Sequence, residues 1–256
     1  MRSASRNAPL AAGLRWLNAL TGETRSDRAD MQLGCVLAFV AGAVNAGGLL
    51  AVGHYTSHMT GLVSALAQDV AFGVVSAALI GLTALASFVT GAATCAFIVN
   101  WGRRAGIRTY YALPLLIEAA LLLVFALSSR GSGPEGGIAS TIALLCLLMG
   151  LQNAIITKIS GARIRTTHVT GIVTDIGIEL GKLLYWNRDT AVSPPVIANR
   201  AKLRLLSLLF LAFFCGATAG AIGFHTFGNQ AALPLALLVF LLGLPACFRR
   251  QAAARN

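Results

Sequence analysis

The sequence predicts an all-α integral membrane protein: six full transmembrane helices plus two short re-entrant half-helices, arranged as two inverted-topology repeats. Three observations predict it. The first is composition: 56% of the 256 residues are hydrophobic, only 11% are charged, and the mean hydropathy is +0.74. A soluble domain carries roughly 25% charged residues, so this chain cannot cover itself with a water-compatible surface. The second is a set of six apolar runs that meet or approach the ~20 residues a helix needs to cross hydrocarbon. The third is a polar hexapeptide, Thr-x-His-x-Thr-Gly, written twice, at Thr56–Gly61 and Thr166–Gly171, each time inside strongly apolar sequence.

Residues 1–30 form a cytoplasmic N-terminal segment with no sustained apolar run and no clear cleavage site, so they do not read as a signal peptide. Leu10, Leu14, Leu17 and Leu20 recur at helical spacing beside Trp16. That spacing leaves a short helix on the inner membrane surface and a disordered tail as equal readings. Residues 31–130 make the first membrane repeat, with spans at 32–52, 73–99 and 111–129 and a shorter stretch at 58–70. Residues 138–249 make the second, with spans at 138–157, 203–225 and 231–248 and a shorter stretch at 168–184, before a tail at 250–256. The two short stretches carry the repeated hexapeptide. They also carry Gln68 and Asp69 in one case, and Asp175, Glu179 and Lys182 in the other. That length and polarity suit half-helices better than crossings.

Charge supports the choice. The net charge is +11, from 20 Lys+Arg against 9 Asp+Glu. In a soluble protein this would point to nucleic acid; here the retention of basic loops in the cytoplasm explains it, and no nucleic-acid partner is expected. If neither short stretch crosses, the groups Arg103–Arg104–Arg108, Lys158–Arg163–Arg165, Arg188–Arg200–Lys202–Arg204 and Arg249–Arg250–Arg255 all fall inside with both termini, and only Arg130 falls outside. If both cross, the loops holding Arg103 to Arg108 and Lys158 to Arg165 move outside. The five cysteines, Cys35, Cys95, Cys146, Cys215 and Cys247, all sit in apolar runs without a Cys-x-x-Cys pair and read as small core residues.

The repeat extends well beyond the hexapeptide. Gly42-x-x-Asn45-Ala46 matches Gly150-x-x-Asn153-Ala154, Asp69 matches Glu179, Phe88-x-x-Gly91-Ala92 matches Phe213-x-x-Gly216-Ala217, and Pro114 matches Pro234. Three crossings per half is an odd number, so the second half enters the membrane upside down relative to the first. Inverted repeats with broken helices are a common architecture of secondary transporters.

Two stretches, "VNAGGLLAVGHYTSHMTG" and "MGLQNAIITKISGARIRTTHVTGIVTDIGIELG", resemble the YoaK family of bacterial membrane proteins. The resemblance covers roughly residues 31–250, and its most specific motif runs from Arg165 to Gly171 with Thr174-Asp175 following. It implies a multi-pass protein of the bacterial cytoplasmic membrane and no particular activity. One position departs from the family pattern: Leu62 stands where the family usually has Asn.

The candidate site follows from the half-helices. Ser and Thr are good N-caps, and Ser57 or Thr56, and Thr167 or Thr166, sit where each half-helix should begin. Two half-helix N-termini facing each other would present free N–H groups and positive dipole ends to an anion or an electron-rich solute. Asn45, Ser57, His58, Thr60, Asn153, Arg165, Thr167, His168 and Thr170 are the candidate binding residues. Gly61 and Gly171 are candidate helix-packing positions. Imidazoles there relay protons or hydrogen-bond a solute, or else serve as polar glue between helices; Arg165 serves as a ligand or as a headgroup anchor. Glu118, mid-span in "LPLLIEAALLLVFAL", and Asp175 are the candidate proton-coupling or buried acids. Glu179, with Lys182 three residues on, reads as a structural ion pair.

No Walker loop, Gly-x-Ser-x-Gly, His-Glu-x-x-His or dinucleotide fingerprint is present, so no enzyme activity and no cofactor are expected. The His58–His168 pair lacks a clear third ligand, so no metal is expected, and an intramembrane metalloenzyme ranks last. The expected function is a secondary transporter or channel for a small solute, anionic in one version, with the lipid bilayer as partner and a homo-oligomer left open. The alternative is a non-transporting sensor or assembly partner, motivated by the basic N-terminal segment.

Overall fold

The computed structural model describes residue 17 and residues 20–22, 26–107, 109–128, 136–187 and 194–244. Among them the ordered elements are all helical: α1 (Asp27–Val52), α2 (Met59–Ala71), α3 (Val75–Arg104), α4 (Ala112–Leu127), α5 (Gly136–Ile159), α6 (Val169–Leu184), α7 (Arg200–Phe227), a 3-10 turn (Gly228–Ala231) and α8 (Ala232–Gly243). The readings placed on most of the N-terminal segment and on the 250–256 tail lie outside the described residues.

Local chemistry sets the helix ends. The Ser26 hydroxyl accepts from the Ala29 N–H at 3.2 Å, and Asp27 and Asp30 complement the positive end of α1. α1 stops at Gly53, whose φ of 72° is a left-handed conformation that glycine adopts without a Cβ penalty. α7 starts at Asn199, whose side chain accepts from the Lys202 N–H at 2.9 Å. Pro114 and Pro234 each sit in the first turn of their helix, where the missing N–H costs no hydrogen bond.

Length sorts the helices into two kinds. At 1.5 Å per residue, the 26, 30, 24 and 28 residues of α1, α3, α5 and α7 all exceed the ~30 Å hydrocarbon thickness. The 13 residues of α2 reach only about 20 Å. The expectation of six full spans is therefore only partly met. Among the described residues four helical stretches are long and apolar enough to cross: Asp27–Val52, Val75–Arg104, Gly137–Ile159 and Arg200–Gly243, the last taking in α7, the 3-10 turn and α8. α4 has 16 residues and α8 has 12. Both start within a residue of the expected spans 111–129 and 231–248, of which residues 129 and 245–248 lie outside the described residues. Ser128 ends α4, donating its hydroxyl to the Phe125 carbonyl at 2.7 Å, and the 3-10 turn leads directly into α8.

The tightest pairings are α1 with α7, α3 with α5 and α4 with α8. Glycine makes the first two close. A Cβ added to Gly42 would strike the Phe213 carbonyl oxygen, and one on Gly216 would strike that of Phe39. In the other pair, a Cβ on Gly150 would strike the Phe88 carbonyl oxygen, and one on Gly91 that of Leu147. Backbones this close gain Cα–H···O contacts and dispersion, the main adhesive available between helices in lipid. The contacts Phe39–Gly216, Ala43–Gly220 and Gly47–Phe224 rise together, so α1 and α7 run in the same direction. α1 and α5 run oppositely: Arg163, just past the end of α5, bonds Asp27 at 2.9 Å and Asp30 at 3.4 Å at the start of α1. α4 and α8 are also opposed, since the Asn229 side chain donates to the Ser128 carbonyl at 3.0 Å while Gly243 abuts Leu116.

Candidate functional site

Beyond α1 the chain turns back along it. The side-chain oxygen of Asn45 accepts both the backbone N–H of Ser57, at 3.2 Å, and its hydroxyl, at 2.9 Å. The same happens beyond α5: the Thr167 hydroxyl donates to the Asn153 side-chain oxygen at 2.7 Å, while the Asn153 amide donates to the Met149 carbonyl at 2.8 Å. Each asparagine thus pins the entry to a short helix at a level inside its own long helix. Thr56 and Thr166, directly before these residues, are buried.

This arrangement corrects the capping assignment. The N-cap positions are His58 and His168, and neither makes a side-chain capping bond. Ser57 and Thr167 are engaged by the asparagines instead, so the first N–H groups of α2 and α6 have no side-chain cap. The glycines have a specific role as well. The nearest neighbours of a Cβ at Gly61 are ring atoms of His58, and at Gly171 ring atoms of His168. Each imidazole folds back over the first turn of its own helix into the space the glycine leaves. The space at each glycine is thus taken by the ring of its own helix, at positions where the sequence had pointed to helix–helix packing.

All nine candidate binding residues line one cavity of about 620 Å³: Asn45, Ser57, His58, Thr60, Asn153, Arg165, Thr167, His168 and Thr170. Sequence reasoning missed Tyr55, Met59, Phe88, Thr157, Val169 and Phe213, which complete the wall. The repeat register held the signal for five of them. Phe88 and Phe213 open the matched Phe-x-x-Gly-Ala motifs, Met59 and Val169 follow the two histidines, and Tyr55 stands 110 residues before Arg165. Only Thr157 lacks a lining counterpart, so the wall is built almost wholly of repeat-related pairs. Phe88 and Phe213 lie near the middle of α3 and α7.

The two candidate acids stand elsewhere. Neither Glu118 nor Asp175 lines the cavity. Glu118 on α4 is fully buried and accepts from the Gln152 amide of α5 at 2.8 Å; that amide also approaches the Leu37 carbonyl of α1 at 3.3 Å. Asp175 pairs with Lys202 at 3.1 Å, both side chains about two-fifths exposed. Glu179 is the buried one, accepting from Lys182 at 2.9 Å and from the Asn199 N–H at 2.7 Å, which ties α6 to the start of α7. Those two donors hold its carboxyl below the ordinary carboxylate range. Among the described residues no group of three or more His, Cys, Asp or Glu is placed to hold a metal ion.

Fold and cavity together define a multi-pass helical membrane protein with a polar chamber at the N-termini of two short helices. The comparisons place it more narrowly. The model of the family described as "Protein of unknown function (DUF1275)" matches residues 33–244, and the chain belongs to that family. It is similar to the UPF0700 transmembrane protein YoaK of Bacillus subtilis (strain 168), 27% identical over 157 residues, which cover 60% of this chain and 68% of the relative. No solved structure matches.

Proposed function

We propose that this protein is a secondary transporter or channel that passes a small electron-rich solute, an anion by preference, through the cavity, and that it performs no catalysis. In this reading its halves are inverted repeats, α4 and α8 complete six crossings, and α2 and α6 are re-entrant. One observation carries the proposal: residues from both halves, in matching register, converge on a single polar chamber. Binding at such an interface between repeats lets one half rock against the other around a fixed site.

Helix directions support the inversion. α1 and α5, which occupy the same place in each half, run oppositely, as do α4 and α8, while α1 pairs with α7 as α5 pairs with α3. The hydrogen bonds Asn45–Ser57 and Asn153–Thr167 bring each chain entry back into its own half without a crossing. Basic residues support a cytoplasmic face at one end: Arg163 pairs with Asp27 and Asp30 at the start of α1, Lys182, Arg200 and Lys202 lie where α6 ends and α7 begins, and Arg103, Arg104 and Lys158 stand in the last turns of α3 and α5.

The test is flux in proteoliposomes, driven by concentration jumps of chloride, phosphate, acetate or benzoate and read as solid-supported-membrane currents. The expected result is a current above protein-free vesicles for at least one anion, lost in the Asn45→Ala/Asn153→Ala double variant. Currents equal to protein-free vesicles for all four would defeat the proposal.

A further inference from the structure

One pair of cavity positions breaks the repeat. Where the second half places Arg165, the first places Tyr55. The other matched positions keep their character: amide with amide, hydroxyl with hydroxyl, imidazole with imidazole, phenyl with phenyl. Among the described lining residues Arg165 is the one Lys, Arg, Asp or Glu, and its side chain is exposed at the wall. A guanidinium stays protonated, so the chamber carries a fixed positive charge on one side and a phenol at the equivalent place on the other. The wall also carries Phe88 and Phe213. Its volume of about 620 Å³ lies within the roughly 300–1,000 Å³ typical of organic-ligand sites, far larger than a bare halide needs.

We infer that the solute is a small organic monoanion with an apolar body, bound in one orientation: an oxyanion head, such as a carboxylate, on Arg165 beside the uncapped N–H groups of α6, and a flat apolar body against Phe88 and Phe213. The assignment rests on the transport reading and sharpens it to a substrate class. Bidentate geometry favours guanidinium for carboxylate, and the amphipathic lining accepts a body that a fully polar site would reject. The Tyr55–Arg165 difference makes the chamber polar along the line joining the halves. A solute with one charged end therefore sits one way round.

The experiment is calorimetric titration of the purified full chain in detergent with sodium benzoate, benzamide and sodium phosphate. Size-exclusion elution and Tm confirm that each variant is folded. Benzoate binds; benzamide, its uncharged counterpart, binds about tenfold more weakly or worse. Arg165→Gln removes benzoate binding. Because the two positions are repeat-equivalent, Tyr55→Arg introduced into an Arg165→Tyr background restores it. Equal binding of benzamide and benzoate, an unaffected Arg165→Gln, or no restoration in the exchanged variant each overturns the inference. Phosphate binding without benzoate binding overturns the amphipathic class and leaves anion transport standing. Absence of benzoate binding with persistent flux in proteoliposomes does the same, and absence of both removes the two together.

Discussion

Replacing Gly150 by alanine separates helix propensity from helix packing, because the two act with opposite sign at this position. In an open helix interior, Gly→Ala gains about 1 kcal/mol. At Gly150 the new Cβ would overlap the Phe88 carbonyl oxygen and crowd the Phe88 Cα at 3.0 Å, and backbone atoms cannot swing aside as a side-chain tip can. Overpacking costs typically 1–3 kcal/mol, and a backbone obstacle belongs at the upper end. The net is a loss of about 2 kcal/mol, or roughly 4–8 °C in Tm for a chain of this size. Gly177, also in a helix, has no atom within 4 Å of its missing Cβ, so Gly177→Ala should gain up to about 1 kcal/mol, roughly 2–4 °C. The assay is fluorescence-detected size exclusion after heating in detergent, parent and both variants side by side. A Gly150→Ala protein as stable as the parent would refute the close approach of α3 and α5.

Other expectations follow from the same geometry. Asn153→Ala frees the Thr167 hydroxyl and should cost about 1 kcal/mol in Tm-derived stability; a double-mutant cycle with Thr167→Val should recover a coupling of similar size, and zero coupling would sink the pinning role. Glu118→Gln keeps an acceptor for the Gln152 amide and should leave Tm nearly unchanged, whereas Glu118→Leu leaves that amide only the longer bond to Leu37 and should cost about 1–3 kcal/mol; the reverse order would contradict the contact. Lys202→Ala should shift stability by less than about 1 kcal/mol, because its pair with Asp175 is exposed. Glu179 carries a pH signature. A carboxyl held below its ordinary value contributes stability above the unfolded-chain pKa of about 4.3, and that contribution disappears as pH falls through the folded value. The Tm gap between parent and Glu179→Gln should therefore be open at neutral pH and close below about pH 4; a gap independent of pH would count against the Lys182 and Asn199 contacts.

Most of the cavity was legible because it is written twice. A polar motif inside apolar sequence is costly unless its groups are satisfied or functional, and its repetition marked Ser57, His58, Thr60 and their counterparts, with Asn45 and Asn153 matched in the Gly-x-x-Asn-Ala motif of each half. Tyr55 escaped because its repeat-mate is an arginine, and Phe88 and Phe213 because phenylalanine mid-span reads as lipid-facing or core. The capping assignment failed for a physical reason: Asn45 and Asn153, remote by 12 and 14 residues, compete for the hydroxyls that local sequence offers to the helix N-terminus. Periodicity cannot register that competition. Glu118 was visible as a buried acid, but its partner Gln152 lies 34 residues away on another helix. α4 and α8 begin within a residue of the apolar runs that mark them, at 112 against 111 and 232 against 231, because apolar run and helix start together at these positions.

The central claim is that two short helices enter and leave on one side, leaving the halves inverted. The direct measurement places single cysteines at Arg28, Phe72 and Ala105 in a background without the native cysteines, and labels each with a membrane-impermeant thiol reagent in intact and in opened cells. Positions 28 and 105 should label alike, and position 72 oppositely, whichever way the protein faces. Positions 28 and 72 labelling alike, with 105 opposite, would mean that α2 crosses the membrane, and the paired half-helix site would fall with it.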